Sequence, residues 1–211
     1  MSDLIPRIKI CGVTSLRDAQ MVLDASADAL GLVYATSVRQ VVGEVGGDIV
    51  ERFGSELWCV GVFRHQDDDE ILRIVDRDAL TVVQLHDEAS TTLLNALNAR
   101  GVTVIRALSI GATPLSPRES GAVGAVLIDG ATPGSGLAND WSLVAAQRFD
   151  VPVIVAGGLT PDNVSDVIDV TSPWGVDVAT GVESSHGVKD PRKVASFVAR
   201  ARAALTQKGA Q

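Results

Sequence analysis

Apolar residues in this chain gather into short runs rich in Val and Ile: RIKIC (7–11), ALGLVY (29–34), WCVGVF (58–63), TVVQL (81–85), VTVIRALS (102–109), AVLID (125–129), VPVIVA (151–156) and GVDVA (175–179). Within each run apolarity is nearly continuous rather than strictly alternating, the pattern of parallel strands covered on both faces. Between the runs, apolar residues fall at helical spacing. The segment 15–25 carries Leu16, Ala19, Met21, Val22 and Leu23; 69–76 carries Ile71, Leu72, Ile74 and Val75; 90–99 carries Leu93, Leu94 and Leu97. Further helices are expected over 141–149, 163–170 and 190–204, and weaker, short ones over 44–52 and 115–121. The run Asp67-Asp68-Asp69-Glu70 reads as a solvated helix start, where acids complement the exposed N–H groups of the first turn.

Strands alternating with helices in this way predict an α/β fold, a single (β/α)8 TIM barrel. The 211 residues sit near the lower size of such barrels, about 200. Right-handed crossovers would bring all strand C-termini to one face, where chemistry should collect. An open doubly wound sheet would more usually show about five or six strands and one strong glycine fingerprint. No Pro/Gly/Ser linker, low-complexity tract or charge break marks a second domain. Residues 1–205 therefore read as one domain and 206–211 as a frayed tail.

Hydrophobic residues make up 46% of the chain and charged ones 21%, a globular balance. No apolar stretch approaches the ~18 residues of a membrane span, and the N-terminus lacks a secretory pattern, so a cytoplasmic protein with no membrane partner is expected. Cys11 and Cys59 read as free thiols. A net charge of −8, from 26 acidic and 18 basic residues, argues against nucleic acid as a partner. Any anion must be held locally.

The ends of the runs supply those local groups: Cys11, then Arg39 in the loop after the second run, Arg64, His86, Asp129, Gly157-Gly158 and Thr180-Gly181. Each alone has an ordinary structural reading: a small core hydrophobe, a solvent-facing arginine, a strand-end hydrogen-bonder, a tight turn. On one rim they form a set. A thiolate can take a proton from carbon and a carboxylic acid can give one to a leaving oxygen, so Cys11 and Asp129 make a base and acid pair. Their ordinary pKa values, about 8.5 and about 3.9, must then be moved, by a nearby cation for the thiol and by burial for the acid. Glycine turns after the seventh and eighth strands are where barrels bind phosphate through backbone N–H groups. Arg39 offers a planar fork for a carboxylate.

The segments KICGVT (9–14), SVRQV (37–41), VQLHD (83–87), the LID, PGSG and DW elements across 127–141, AGGLTPDNV (156–164) and GVDVATGVE through HGVKD (175–190) resemble the phosphoribosylanthranilate isomerase family. The resemblance runs from the first strand to the last helix. It implies an Amadori rearrangement in tryptophan biosynthesis that needs no metal or organic cofactor. It further implies Cys11 as general base, Asp129 as general acid, Arg39 on the anthranilate carboxylate and His86 as the family's strand-4 histidine. Gly157, Gly158, Thr180 and Gly181 match its phosphate loops. The partner implied is a small phosphosugar substrate, taken by a monomer or homodimer.

The chain departs from the family pattern in three places. It has ATGVE where two serines usually precede the glycine, PGSG where a second glycine and a threonine are common, and Asn139 where Phe is common before Asp140-Trp141. These bear on loop closure and phosphate affinity rather than on reaction class. The histidine-pathway isomerase, or a bifunctional relative, would have an aspartate in place of Cys11; an idle barrel would be free to lose the acid, the base or the arginine.

The acidic bias itself makes a prediction, because only four lysines, Lys9, Lys189, Lys193 and Lys208, stand against it. An Asp-rich surface repels itself at low ionic strength and is screened as salt rises. The melting temperature should climb between low and molar KCl; a flat or falling Tm would show that this repulsion does not limit stability.

Overall fold

The computed structural model describes residues 5–112, 115–130 and 141–209. Eight parallel strands close into a barrel: β1 (Ile8–Cys11), β2 (Ala29–Val33), β3 (Trp58–Phe63), β4 (Val82–Leu85), β5 (Thr103–Ser109), β6 (Ala125–Asp129), β7 (Val153–Ala156) and β8 (Gly175–Val178). Neighbours in sequence are neighbours in the sheet, and β8 returns to β1 with Lys9 beside Asp177. The helices are α1 (Leu16–Asp24), α2 (Val45–Phe53), α3 (Asp68–Arg77), α4 (Thr91–Ala99), α5 (Pro117–Ser120), α6 (Trp141–Ala146), α7 (Val164–Thr171) and α8 (Pro191–Gly209).

Strand periodicity sorts the core into two layers. One face of the strands contributes Ala29, Val60, Val82, Ile105, Ala125, Leu127 and Ile154 to a compact cluster that contains no helix residue, the filling of the barrel. The other face, with Ile8, Ile10, Leu30, Leu32, Val104 and Ile128, packs against Val22, Ile49, Leu97, Ile168 and Phe197 from the helices. Burial on both faces explains the continuous apolarity of the runs.

Local chemistry starts the helices where the polar residues suggest. Ser15, Asp67 and Ser90 accept hydrogen bonds from the N–H groups of Asp18, Glu70 and Leu93, capping α1, α3 and α4. Asp67 is thus the cap, and Asp68-Asp69-Glu70 form the first turn.

Several elements differ from expectation. The segment expected as a weak, short helix over 44–52 forms α2, as long as α1, because Ile49 and Phe53 reach the outer core. The 141–149 helix stops at Ala146. The tail expected to fray from 206 is helical through Gly209: Leu205 is buried, and Lys208 Nζ donates to the Asp169 carbonyl at 3.1 Å, tying the last turn to α7. A two-stranded hairpin that the sequence pattern did not suggest, β9 (Glu183–Ser185) with β10 (Val188–Lys189), follows β8 and turns at Gly187. No helix among the described residues is long and apolar enough to cross a membrane.

At the N-terminal end of the barrel, Asp28 joins three elements. Its carboxylate accepts from the backbone N–H groups of Arg7 and Ile8 and from both terminal nitrogens of Arg202, one of them at 2.6 Å. Asp28→Ala strands these donors and should lower stability by about 1–3 kcal/mol. Urea unfolding measures it, and an unchanged midpoint would show that water replaces the carboxylate at no loss.

Candidate active site

Cys11 and Asp129 end β1 and β6, and in both strands alternation turns these side chains to the inside of the barrel at the mouth. Cys11 is buried and Asp129 is half-buried. Among the described residues, two cavities open at this mouth. One, of about 470 Å³, is lined by Asp129, Gly157, Gly158, Asp177, Thr180 and Gly181. The other, of about 570 Å³, lies toward β3–β6 and takes in Asp129, His86 and Arg64. Asp129 stands where they meet.

The first cavity is built largely of backbone. Gly157 and Gly158 have φ of +89° and +68°, a region that disfavours residues bearing a Cβ. The turn is latched by Asn163, which donates to the Gly158 carbonyl at 2.9 Å and accepts from the Thr160 N–H at 2.8 Å. Opposite it, Gly181 lies in a short 3-10 turn, Thr180–Val182, so close that a Cβ would meet the Leu159 carbonyl at 1.8 Å. Glycine here permits contact between the loops after β7 and β8, and the two glycine turns expected from the sequence come together as one wall.

Arg39 reaches the same wall, but its fork is not open. Nε and Nη2 donate to the two carboxylate oxygens of Glu183 at 2.7 and 2.9 Å, and Nη2 also reaches Thr180 Oγ1 at 3.2 Å. The edge of the guanidinium formed by Nε and Nη2 is thus turned onto Glu183 and Thr180. Glu183 is itself held by Lys189 Nζ at 3.0 Å and by the Gly187 N–H at 3.1 Å. Burial opposes its charge, yet the bonds from Arg39, Gly187 and Lys189 prevail and hold the carboxyl at about 2. Gly12, at φ +79°, allows Arg39 to cross the β1 loop, since a Cβ there would touch Arg39 Cδ at 2.5 Å.

His86 follows β4. Burial, with the charges of Lys9 and Arg64, pushes its imidazole down to about 4, so it is neutral near pH 7. Its Nε2 lies 2.9 Å from the Gln84 side-chain amide, which pairs with the ring.

Beneath the mouth lie groups that the sequence reading did not single out as a site. Lys9, only 1% exposed, donates through Nζ to Asp177 Oδ1 at 2.8 Å inside the barrel. Burial is the largest influence on the Cys11 thiol and pushes it up; Lys9 and Lys189 pull it down less strongly, and Asp177 adds to the rise. A cation does stand by the thiol, as expected, but it does not overcome desolvation. The available signal was a charge inside each of two otherwise apolar strands, in IKIC and GVDV. The loop residues 131–136 and Asn139 lie outside the described residues.

Comparison with known proteins agrees with this geometry. The family model described as N-(5'phosphoribosyl)anthranilate (PRA) isomerase matches residues 8–200. The chain belongs to this isomerase family. A relative from Geotalea uraniireducens (strain Rf4), named N-(5'-phosphoribosyl)anthranilate isomerase, is 41% identical over 202 residues, covering 93% of this chain and 98% of the relative. Among solved structures, TrpF from Jonesia denitrificans superposes with a TM-score of 0.83 at 35% identity, over 95% of this chain and 98% of that one. A phosphoribosyl anthranilate isomerase in complex with reduced 1-(o-carboxyphenylamino)-1-deoxyribulose 5-phosphate gives 0.77 at 31% identity, over 94% and 100%. Membership in the isomerase family fits a barrel whose mouth combines an acid, a thiol and a glycine wall.

Acid stability follows from the two depressed groups. The unfolded chain protonates His86 near 6.5, above the folded value of about 4, so stability falls as pH drops through that window. Glu183 stabilises fully above 4.5, and its contribution is lost as pH falls toward about 2. Urea unfolding against pH should show both declines. Glu183→Gln should flatten the lower one and leave the upper; an unchanged slope below pH 4.5 would rule out this role for Glu183.

Proposed function

We propose that the chain converts N-(5'-phosphoribosyl)anthranilate to 1-(2-carboxyphenylamino)-1-deoxyribulose 5-phosphate by an Amadori rearrangement, an intramolecular aldose–ketose isomerisation in L-tryptophan biosynthesis. The observation that carries this reading is the placement of Cys11 and Asp129 on one barrel mouth beside the paired glycine turns and Arg39.

In this reading the 5'-phosphate takes the N–H groups of the Gly157-Gly158 and Thr180-Gly181 turns, where backbone can approach an oxyanion without a Cβ between. Thr180 Oγ1, accepting from Arg39, keeps its own proton to donate onward. Arg39 meets the anthranilate carboxylate through Nη1, with its other edge fixed on Glu183. His86, as a neutral ring, lines the far side of the pocket.

Asp129 then gives its proton to the furanose ring oxygen. The C1'–O bond breaks and the anthranilate nitrogen lone pair forms the iminium. Cys11, as thiolate, takes the proton from C2', and the C–H electron pair passes into the C2'–C1' bond while the iminium π pair returns to nitrogen. The enolamine so formed tautomerises to the ketone. No net redox partner is needed, because C1' is reduced as C2' is oxidised. The protein contributes position and proton transfer. The substrate is a small phosphosugar, and we place the enzyme in the cytoplasm as a monomer or homodimer.

Turnover assays test the roles. Cys11→Ser should lower kcat by about two to four orders of magnitude while product binding persists, since a hydroxyl of far higher pKa is a poor base. Asp129→Asn should fall similarly, because an amide cannot donate the proton that ring opening needs. Near wild-type turnover in either variant would remove that residue from its role. Assay of the parent with both the tryptophan-pathway and the histidine-pathway substrate separates this reading from its enzyme rival, and inactivity on both would indicate an idle barrel.

A further inference from the structure

A buried ion pair is an unusual filling for a barrel layer. Branched apolar side chains ordinarily occupy those positions, and replacing a buried pair by them is often neutral or stabilising. Here Lys9 and Asp177 are register partners across the β1–β8 seam, with side chains 1% and 9% exposed and 2.8 Å between Nζ and Oδ1. Their position relative to the thiol is specific. Lys9 and Cys11 are two residues apart on β1, so both side chains point inward, one above the other.

The facing strand leaves them room to meet. Gly31 on β2 is the register partner of Cys11, and a Cβ at Gly31 would lie 2.7 Å from Cys11 Sγ and 3.2 Å from Lys9 Cε. The space that a β2 side chain would fill is therefore shared by the thiol and the end of the lysine stem. The ammonium has three donors, and Asp177 Oδ1 occupies one of them. Asp177 in turn lines the cavity at the mouth, so the pair connects the base to the substrate space.

We propose that the Lys9–Asp177 pair positions and poises Cys11: the ammonium supports the thiolate from below, and the carboxylate governs how much of that ammonium the thiolate receives. Lys9 is a positioning residue, not a group that touches the reacting carbon. The proposal uses the reading of Cys11 as base only for its catalytic consequence.

The other charges around the thiol belong to different elements. Lys189 on β10 and Arg39 in the loop after β2 favour the thiolate, and His86 after β4 faces Lys9 and Asp177 as a neutral ring. Asp129 stands on the same mouth at the end of β6. None of these is a register neighbour of Cys11 inside the barrel, whereas Lys9 lies directly beneath it and shares its contact with Gly31. The pair is thus the group whose two halves should act on the thiol in opposite senses.

The test is a thiolate titration of the full-length protein without substrate, followed by ultraviolet absorbance and by the rate of iodoacetamide alkylation, in a Cys59→Ala background. Cys59 is buried on the other face of the sheet, where desolvation pushes it up to about 12, and removing it leaves one reporting thiol. Lys9→Met should raise the apparent pKa of Cys11 by about one unit or more, and Asp177→Asn should lower it by a similar amount. Lys9→Arg, which keeps the charge, should stay nearer the parent than Lys9→Met.

The acid limb of kcat/KM should move in the same directions, about tenfold in rate at a fixed pH on that limb for each unit. Titrations that coincide in parent, Lys9→Met and Asp177→Asn, or that move the same way in both variants, overturn the proposal. Should Lys9→Met not fold, Asp177→Asn against Lys9→Arg still decides: no downward shift in Asp177→Asn overturns it. If the thiol shifts as expected but the kcat/KM limb stays in place, the pair's control of Cys11 stands and the reading of Cys11 as base falls.

Discussion

Closing β8 against β1 places two charges side by side inside a mostly apolar barrel, and the register of that seam sets the layout of the mouth. Lys9 opposite Asp177 puts Cys11 one layer above the ammonium. The same seam carries the loop after β8, with Thr180 and Gly181, to within reach of Arg39 from the loop after β2. A slip of one residue would turn Cys11 to the helix layer and Asp177 out of the barrel, because strand side chains alternate faces. Burial of an unpaired lysine or aspartate would be strongly unfavourable, so each charge selects against registers that separate it from the other.

Above the seam, the mouth divides by chemistry. The β7–β8 side is mostly backbone, shaped by glycines whose missing side chains let two loops touch. The β1–β2 and β9–β10 side is a closed charge network in which Glu183 accepts from Arg39, Lys189 and Gly187 at once. An arginine bound on one edge by a buried carboxylate has lost most of its rotamer freedom before any ligand arrives. It can then contribute to binding without the ordering penalty of a free surface arginine. The unexpected hairpin after β8 has its function here: it brings Lys189 and Gly187 back onto Glu183.

Much of this was visible in the order of residues. Buried parallel strands are nearly pure Val/Ile/Leu/Ala segments, and a helix must follow each, so the eight runs announce the barrel even where helix patterns such as 44–52 are faint. Strand-end position alone brings Cys11, His86, Asp129, Gly157-Gly158 and Thr180-Gly181 to one rim, because every parallel strand in a right-handed barrel ends on the same face. The length of α8 was less legible. Its last turns are held by Leu205 in the outer core and by Lys208 on α7, contacts made by residues that are distant in sequence.

The chain's own sequence determined the periodic strands, the helix caps at Ser15, Asp67 and Ser90, and the identity of the groups offered at the rim, since all of these depend on neighbours a few residues apart. Pairings across the barrel were decided only by the tertiary structure. That Lys9 meets Asp177, that Glu183 takes the fork of Arg39, and that Gly31 yields its side-chain space to Cys11 are contacts between strands and loops far apart along the chain. Charge state is decided there as well. The depressed His86 and Glu183 and the raised Cys11 come from burial and from partners supplied by other elements, and linear order carries neither quantity.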